Sequence, residues 1–125
     1  MREIIFVGIG SFLGGVFRYL LSTWVHRFLD NPWFPYGTLM VNVTGCLVIG
    51  FLAGLADDRA VFTSEARLFV FIGILGGFTT LSSFALETFV LARDTQIVGA
   101  ATNVALHVIL GLVSVWCGNI LARLV

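Results

Sequence analysis

Residues 76–84 read GGFTTLSSF, two glycines and four hydroxyl residues in the middle of one of the most apolar stretches of the chain. Gly is a poor helix former and a Thr hydroxyl can bond freed backbone groups, so GGFTT is expected to break a helix there. Irregular backbone at membrane depth is tolerated only where protein or a water-filled cavity surrounds it. Freed carbonyls can coordinate a cation, and hydroxyls with an aromatic edge can hold a small anion weakly enough to release it. Past the break, helical spacing predicts that Ser83, Phe84, Glu87 and Thr88 share one face.

Other polar residues fall inside apolar runs, where lipid makes them costly. Thr38, Asn42 and Gly45 recur at helical spacing, as do Asn103, His107, Gly111, Ser114 and Gly118. Gly8, Ser11, Gly15, Arg18 and Ser22 form a third stripe. Small residues at such spacing are expected to act as packing seams. Asn42 and His107 are expected to do more, because an amide or imidazole at mid-span is expensive if unused. Arg18 reads either as a snorkelling side chain or as a fixed positive charge that draws anions into a vestibule. Glu87 is the one carboxylate well inside a span, a polar partner for a hydroxyl or for Arg18.

The elements that must position these residues follow from hydropathy. The chain has 125 residues, 58% of them hydrophobic, and a mean hydropathy of +1.02, which is the composition of an integral membrane protein. Four apolar segments span roughly 4–28, 36–56, 66–92 and 96–124. Each is long enough to cross a core that needs about 20 helical residues. The segments predict an all-α, four-helix transmembrane domain with the third helix broken near its middle. Trp24, Trp33 and Tyr36 cluster where the first hairpin should reach the headgroups. The first segment is interrupted by Arg18 and Tyr19 and is followed by no small-residue cleavage site, so it is expected to stay as a helix.

With four crossings, the termini and second loop share one side and carry Arg2, Arg59, Arg67 and Arg123, against Arg27 and Arg93 opposite. This bias predicts cytoplasmic termini, and its small size also suits a chain that inserts in both orientations. Four helices enclose little of a pathway, so an oligomer is expected. Formal net charge is zero and no Lys is present, which argues against nucleic-acid binding. Cys46 and Cys117 are isolated in apolar runs, with no disulfide or metal spacing. No nucleophile–base pair or metal cluster is readable, so no enzyme is expected.

Together GSFLGGVFRY (10–19), YGTLMVNVTG (36–45), GGFTTLSSFALET (76–88) and NVALHVILGL (103–112) resemble the Fluc/CrcB family of small fluoride channels along essentially the whole chain. The resemblance implies an antiparallel, dual-topology homodimer in the inner (plasma) membrane that passes fluoride passively down its gradient through two pores. It implies a structural sodium ion on the dyad, held by the backbone carbonyls of Gly76 and Thr79. Asn42 would be the pore amide, Arg18 the vestibule cation and Phe84 the second ring of a phenylalanine pair, with Ser82 and Ser83 as hydroxyls between the rings. The anion path would run past Thr38, Asn42, Leu81, Ser82, Ser83, Phe84 and His107.

Three positions depart from the family pattern, one of them Ser83, which stands where a threonine is usual and keeps the hydroxyl. Leu81 stands where the first phenylalanine is expected, and removes an edge contact. His107 stands where a serine is more typical, and could donate to an anion or make transport depend on pH. A heterodimer with a paralogue, one pore degenerate, would also fit these changes. A small multidrug-type cation/proton antiporter has the same size, but needs a carboxylate well inside the first helix. Here Arg18 lies inside and Glu3 only at the edge. A non-transporting membrane scaffold is disfavoured by the predicted break and the mid-span polar residues.

Overall fold

The computed structural model describes residues 1–59 and 62–125. The described helices are α1 (Arg2–Phe28), α2 (Tyr36–Arg59), α3 (residues 64–78), α4 (Leu81–Arg93) and α5 (Ile97–Leu124). The helices α3 and α4 are the two halves of one interrupted span, so among the described residues four helices are long and apolar enough to cross a membrane. The predicted loop at 57–65 falls partly outside the described residues. Between α1 and α2, Asp30 and Asn31 both adopt φ 54°. That left-handed pair, which Asp and Asn tolerate better than most residues, turns the chain into the Pro32–Pro35 segment.

In lipid the contacts between helices gain little from the hydrophobic effect, and close backbone approach takes over. Two glycine seams do this. Along the first, α1 lies on α3: a Cβ at Gly10 would sit 2.5 Å from the Phe69 carbonyl oxygen and 2.8 Å from Gly73 Cα. Gly14 is crowded in the same way by the Ile74 carbonyl, and Gly77 of α3 by Ser11. Along the second, α5 lies on α2, with Gly50 against Val115, Gly118 against Leu47 and Gly54 against Ala122.

The α5 stripe therefore behaves as periodicity predicts, with Asn103, Gly111 and Gly118 buried. The α1 stripe does so only in part, with Ser11 against Gly77 and Ser22 against Gly37. Gly8 and Gly15 have nothing within 4 Å of a modest Cβ among the described residues, whereas Gly10 and Gly14 make the contact. The side of α1 that α3 covers carries Gly10, Ser11 and Gly14, set against Phe69, Gly73, Ile74 and Gly77; α3 runs as a π-helix over Leu68–Leu75. Large apolar side chains cover the outer faces, including Phe12, Trp116 and Val98. Trp24, Trp33 and Tyr36 are exposed at the α1–α2 end, as a headgroup belt requires.

The seam makes a direct prediction. Gly10→Ala should destabilise the folded protein by about 1–3 kcal/mol through overpacking against backbone that has nowhere to go. Gly8→Ala should leave stability unchanged or raise it by up to about 1 kcal/mol from helix propensity alone. Thermal unfolding in detergent, comparing the two variants, measures both.

Candidate functional site

The interruption lies one step later than the glycines. Gly76–Phe78 is still helical, and the two extended residues are Thr79 (φ −78°, ψ 155°) and Thr80 (φ −147°, ψ 112°). Gly77 serves the α1 seam instead of breaking the helix, and the β-branched threonines take the extended backbone they favour. Thr79 keeps a link to the turn behind it, since both its N–H and its hydroxyl donate to the Leu75 carbonyl at 3.0 Å.

Thr80 is the pivot. An extended residue points its own N–H and C=O to the same side, and a side-chain amide can pair with both as a neighbouring strand would. Asn42 of α2 does this: its Oδ1 accepts from Thr80 N at 2.9 Å, and its Nδ2 donates to Thr80 O at 3.1 Å. The Thr80 hydroxyl in turn caps α4, accepting from Ser83 N at 3.1 Å while donating to Ser83 Oγ at 3.0 Å. The Ser82 hydroxyl lies 3.3 Å from the same oxygen.

These bonds divert two amides. Thr80 N is the ordinary i+4 partner of the Gly76 carbonyl, and Ser83 N is that of the Thr79 carbonyl. With Thr80 N on Asn42 and Ser83 N on the Thr80 hydroxyl, neither amide serves its helical acceptor. Neutral carbonyl oxygens released in this way suit a hard cation of low charge.

The polar residues divide between two cavities that meet at Thr80. The first, about 460 Å³, is lined by Asn42, Gly76, Thr79, Leu81, Phe84 and His107 among others. The second, about 440 Å³, includes Arg18, Thr38, Thr80, Ser83 and Glu87. The expected single face of α4 is thus split. Ser83 and Glu87 face α1 and α2, whereas Phe84 and Thr88 face α5. A 100° helical stripe is wide enough to straddle the junction between two neighbours, and here it does.

In the second cavity Glu87 Oε1 accepts from the Thr38 hydroxyl at 2.5 Å. Arg18 lines the same cavity, and it makes no ion pair with Glu87 among the described residues. In the first, Phe84 and His107 face each other with ring centroids 4.4 Å apart and planes 42° apart. Asn103, fully buried, donates from Nδ2 to Thr88 Oγ1 at 2.9 Å, and Thr88 donates to the Phe84 carbonyl at 2.8 Å. Leu81 is 78% exposed and Ser82 is exposed, both on the outer side of the break. Sequence reasoning singled out neither Thr80 nor the Asn103–Thr88 link. A hydroxyl three residues before Ser83 at a helix start was the available signal for the first.

Comparison with known proteins comes from two directions. A family model described as "CrcB-like protein, Camphor Resistance (CrcB)" matches residues 5–119. A Trichormus variabilis protein named "Fluoride-specific ion channel FluC" is 44% identical over 126 residues, covering 99% of this chain and 90% of its own length. A protein of the same name from Methylobacillus flagellatus is 40% identical over 124 residues, covering 99% and 97%. A third, from Elusimicrobium minutum, is 42% identical over 125 residues, covering 100% and 97%.

If the Asn42 clamp closes the break, Asn42→Ala should expose the Thr80 amide and destabilise the protein by about 1–3 kcal/mol, the usual result of orphaning buried backbone groups. Amide hydrogen exchange at residues 79–84 should accelerate, while exchange along α5 stays slow. Unchanged exchange at Thr80 would show that the clamp is not what holds the junction.

Proposed function

The chain belongs to the CrcB family, and on that premise we propose that it is a fluoride-selective channel, a multi-pass membrane protein that passively exports fluoride from the cytoplasm and so limits its toxicity. It is a channel and not an enzyme. The observation that carries the mechanism is the Asn42–Thr80 clamp, which holds an irregular backbone open between two polar cavities.

Arg18 raises the local concentration of anions at the mouth of the second cavity. From there the hydroxyls of Ser83 and Ser82 replace water around the ion one contact at a time, while Thr38, whose single hydrogen goes to Glu87, lines the path without donating. Donors without a full buried charge bind a small anion and still let it go. The edge of Phe84 supplies the positive part of a ring quadrupole beside Asn42, whose Nδ2 has a second N–H beyond the one given to Thr80. Leu81 offers no such edge and acts only as an apolar wall. His107 is the last polar group of this path on α5. Glu87, tied to Thr38, sets the orientation of that hydroxyl.

The outward position of Leu81 and Ser82 supports a pathway completed by a second copy arranged antiparallel, or by a paralogue in a heterodimer. The plasma membrane, the inner membrane where there are two, is the compartment in which export relieves the cytoplasm. The released carbonyls of Gly76 and Thr79 fit a structural sodium ion, which would supply a fixed positive centre that ties the interrupted spans together.

Purified protein in liposomes should release fluoride faster than chloride and faster than empty liposomes do. Phe84→Ile and Asn42→Asp should each slow efflux at least about tenfold, the effect of removing ~1.4 kcal/mol of stabilisation from the barrier, while the dimer still elutes intact. Normal flux in both variants would overturn the pathway. Replacing sodium with N-methylglucamine should lower the melting temperature of the dimer in detergent; an identical melting temperature in the two media would count against the ion.

A further inference from the structure

His107 has a hydrogen-bond arrangement that fixes its chemistry. Its Nδ1 lies 3.0 Å from the backbone carbonyl oxygen of Asn103. A carbonyl only accepts, so Nδ1 carries the hydrogen. The neutral ring therefore presents a bare lone pair at Nε2, and Nε2 is buried with no partner among the described residues. The ring cannot trade tautomers without giving up the Asn103 bond. Phe84 lies across one side of it at 4.4 Å, and the Asn103–Thr88–Phe84 chain of hydrogen bonds holds α4 and α5 at that spacing.

A nitrogen lone pair repels an anion, whereas the same atom with a proton is a charge-assisted donor. Resting on the channel reading above, we infer that His107 is a specificity-determining residue of the first cavity, taking fluoride at Nε2 only as the imidazolium, so that conduction is graded by the protonation of this ring. The surroundings isolate it. Among the described residues Cys46 on α2 is the one other ionisable side chain lining that cavity. The lining from α3 is Phe71, Leu75 and Gly76, and α4 brings Leu81 and Phe84. Glu87 opens onto the opposite cavity, with Arg18.

The test is fluoride efflux from proteoliposomes between about pH 5.5 and 8, a window around the ordinary imidazole range, with empty liposomes subtracted at each pH to remove undissociated acid crossing the lipid. Wild-type flux should rise as pH falls, approaching about tenfold per pH unit above the midpoint, as one protonated site dictates. His107→Gln keeps an N–H donor at every pH, so its flux should exceed that of empty liposomes and lose the slope. Wild-type flux that exceeds the blank but stays level across the range would overturn the inference while leaving the channel reading intact. A slope that survives in His107→Gln would overturn it as well, and would move the titration to Cys46 or Glu87. Should that variant not fold, the ¹⁵N resonances of labelled His107 in the wild-type protein decide the matter: a midpoint coinciding with that of the flux supports the inference, and a separate one overturns it. Flux equal to the blank at every pH would overturn the channel reading and this inference with it.

Discussion

A helix interrupted inside a membrane leaves backbone donors and acceptors that lipid cannot satisfy, each at several kcal/mol. Here one side chain meets part of that debt. Asn42 binds both backbone groups of Thr80, and no other uncharged side chain but Gln presents a donor and an acceptor in the spacing of a peptide. With the pair in place, the chain can leave helical geometry for two residues and re-enter it under the cap provided by the Thr80 hydroxyl. The direction of α4, the release of the Gly76 and Thr79 carbonyls, and the meeting of the two cavities at Thr80 all descend from this contact.

The surrounding architecture is built to let that contact form. Asn42 reaches Thr80 only because α2 and the interrupted span lie close, and Gly45, one turn along α2, has Thr79 Cγ2 and Phe78 where a side chain would be. On the other flank Gly73, in the π-helical turns of α3, and Gly77, just beyond them, lie against α1. A wider helix is intrinsically less favourable than an α-helix, so its persistence over eight residues needs compensating contacts, and the glycine seam is where they are found. Packing and function are therefore coupled through backbone approach, with few large buried side chains involved.

The division of α4 between two cavities gives its residues different tasks. Ser83 and Glu87 sit with Arg18, the polar and charged side of the break. Phe84 sits with His107 and Asn42 on the side where a ring edge and an imidazole replace charge. In the proposed pathway an anion passing from one to the other exchanges long-range attraction for short-range donors, which keeps binding shallow enough for flow. In that proposed pathway Leu81, where an aromatic ring would be expected from the family pattern, thins the second set of contacts and leaves more of the task to His107.

Much of this was legible in the residues alone. Hydropathy sets the number of crossings because about 20 apolar residues are the thickness of the lipid core, whatever they pack against. The GGFTTLSSF composition announces an interruption, and Asn42 and His107 announce themselves by their cost. What the residues could not decide is which polar group answers which. Gly8 and Gly15 have the same local signature as Gly10 and Gly14, and only the side of α1 that α3 covers separates them. Ser83 and Phe84 share a helical stripe, and only the positions of α2 and α5 send them into different cavities. The break falls at Thr79–Thr80 and not at the glycines because Asn42, 38 residues earlier in the chain, supplies the bonds there. Local sequence sets what each backbone segment can do; the neighbour that satisfies its polar groups determines what it does.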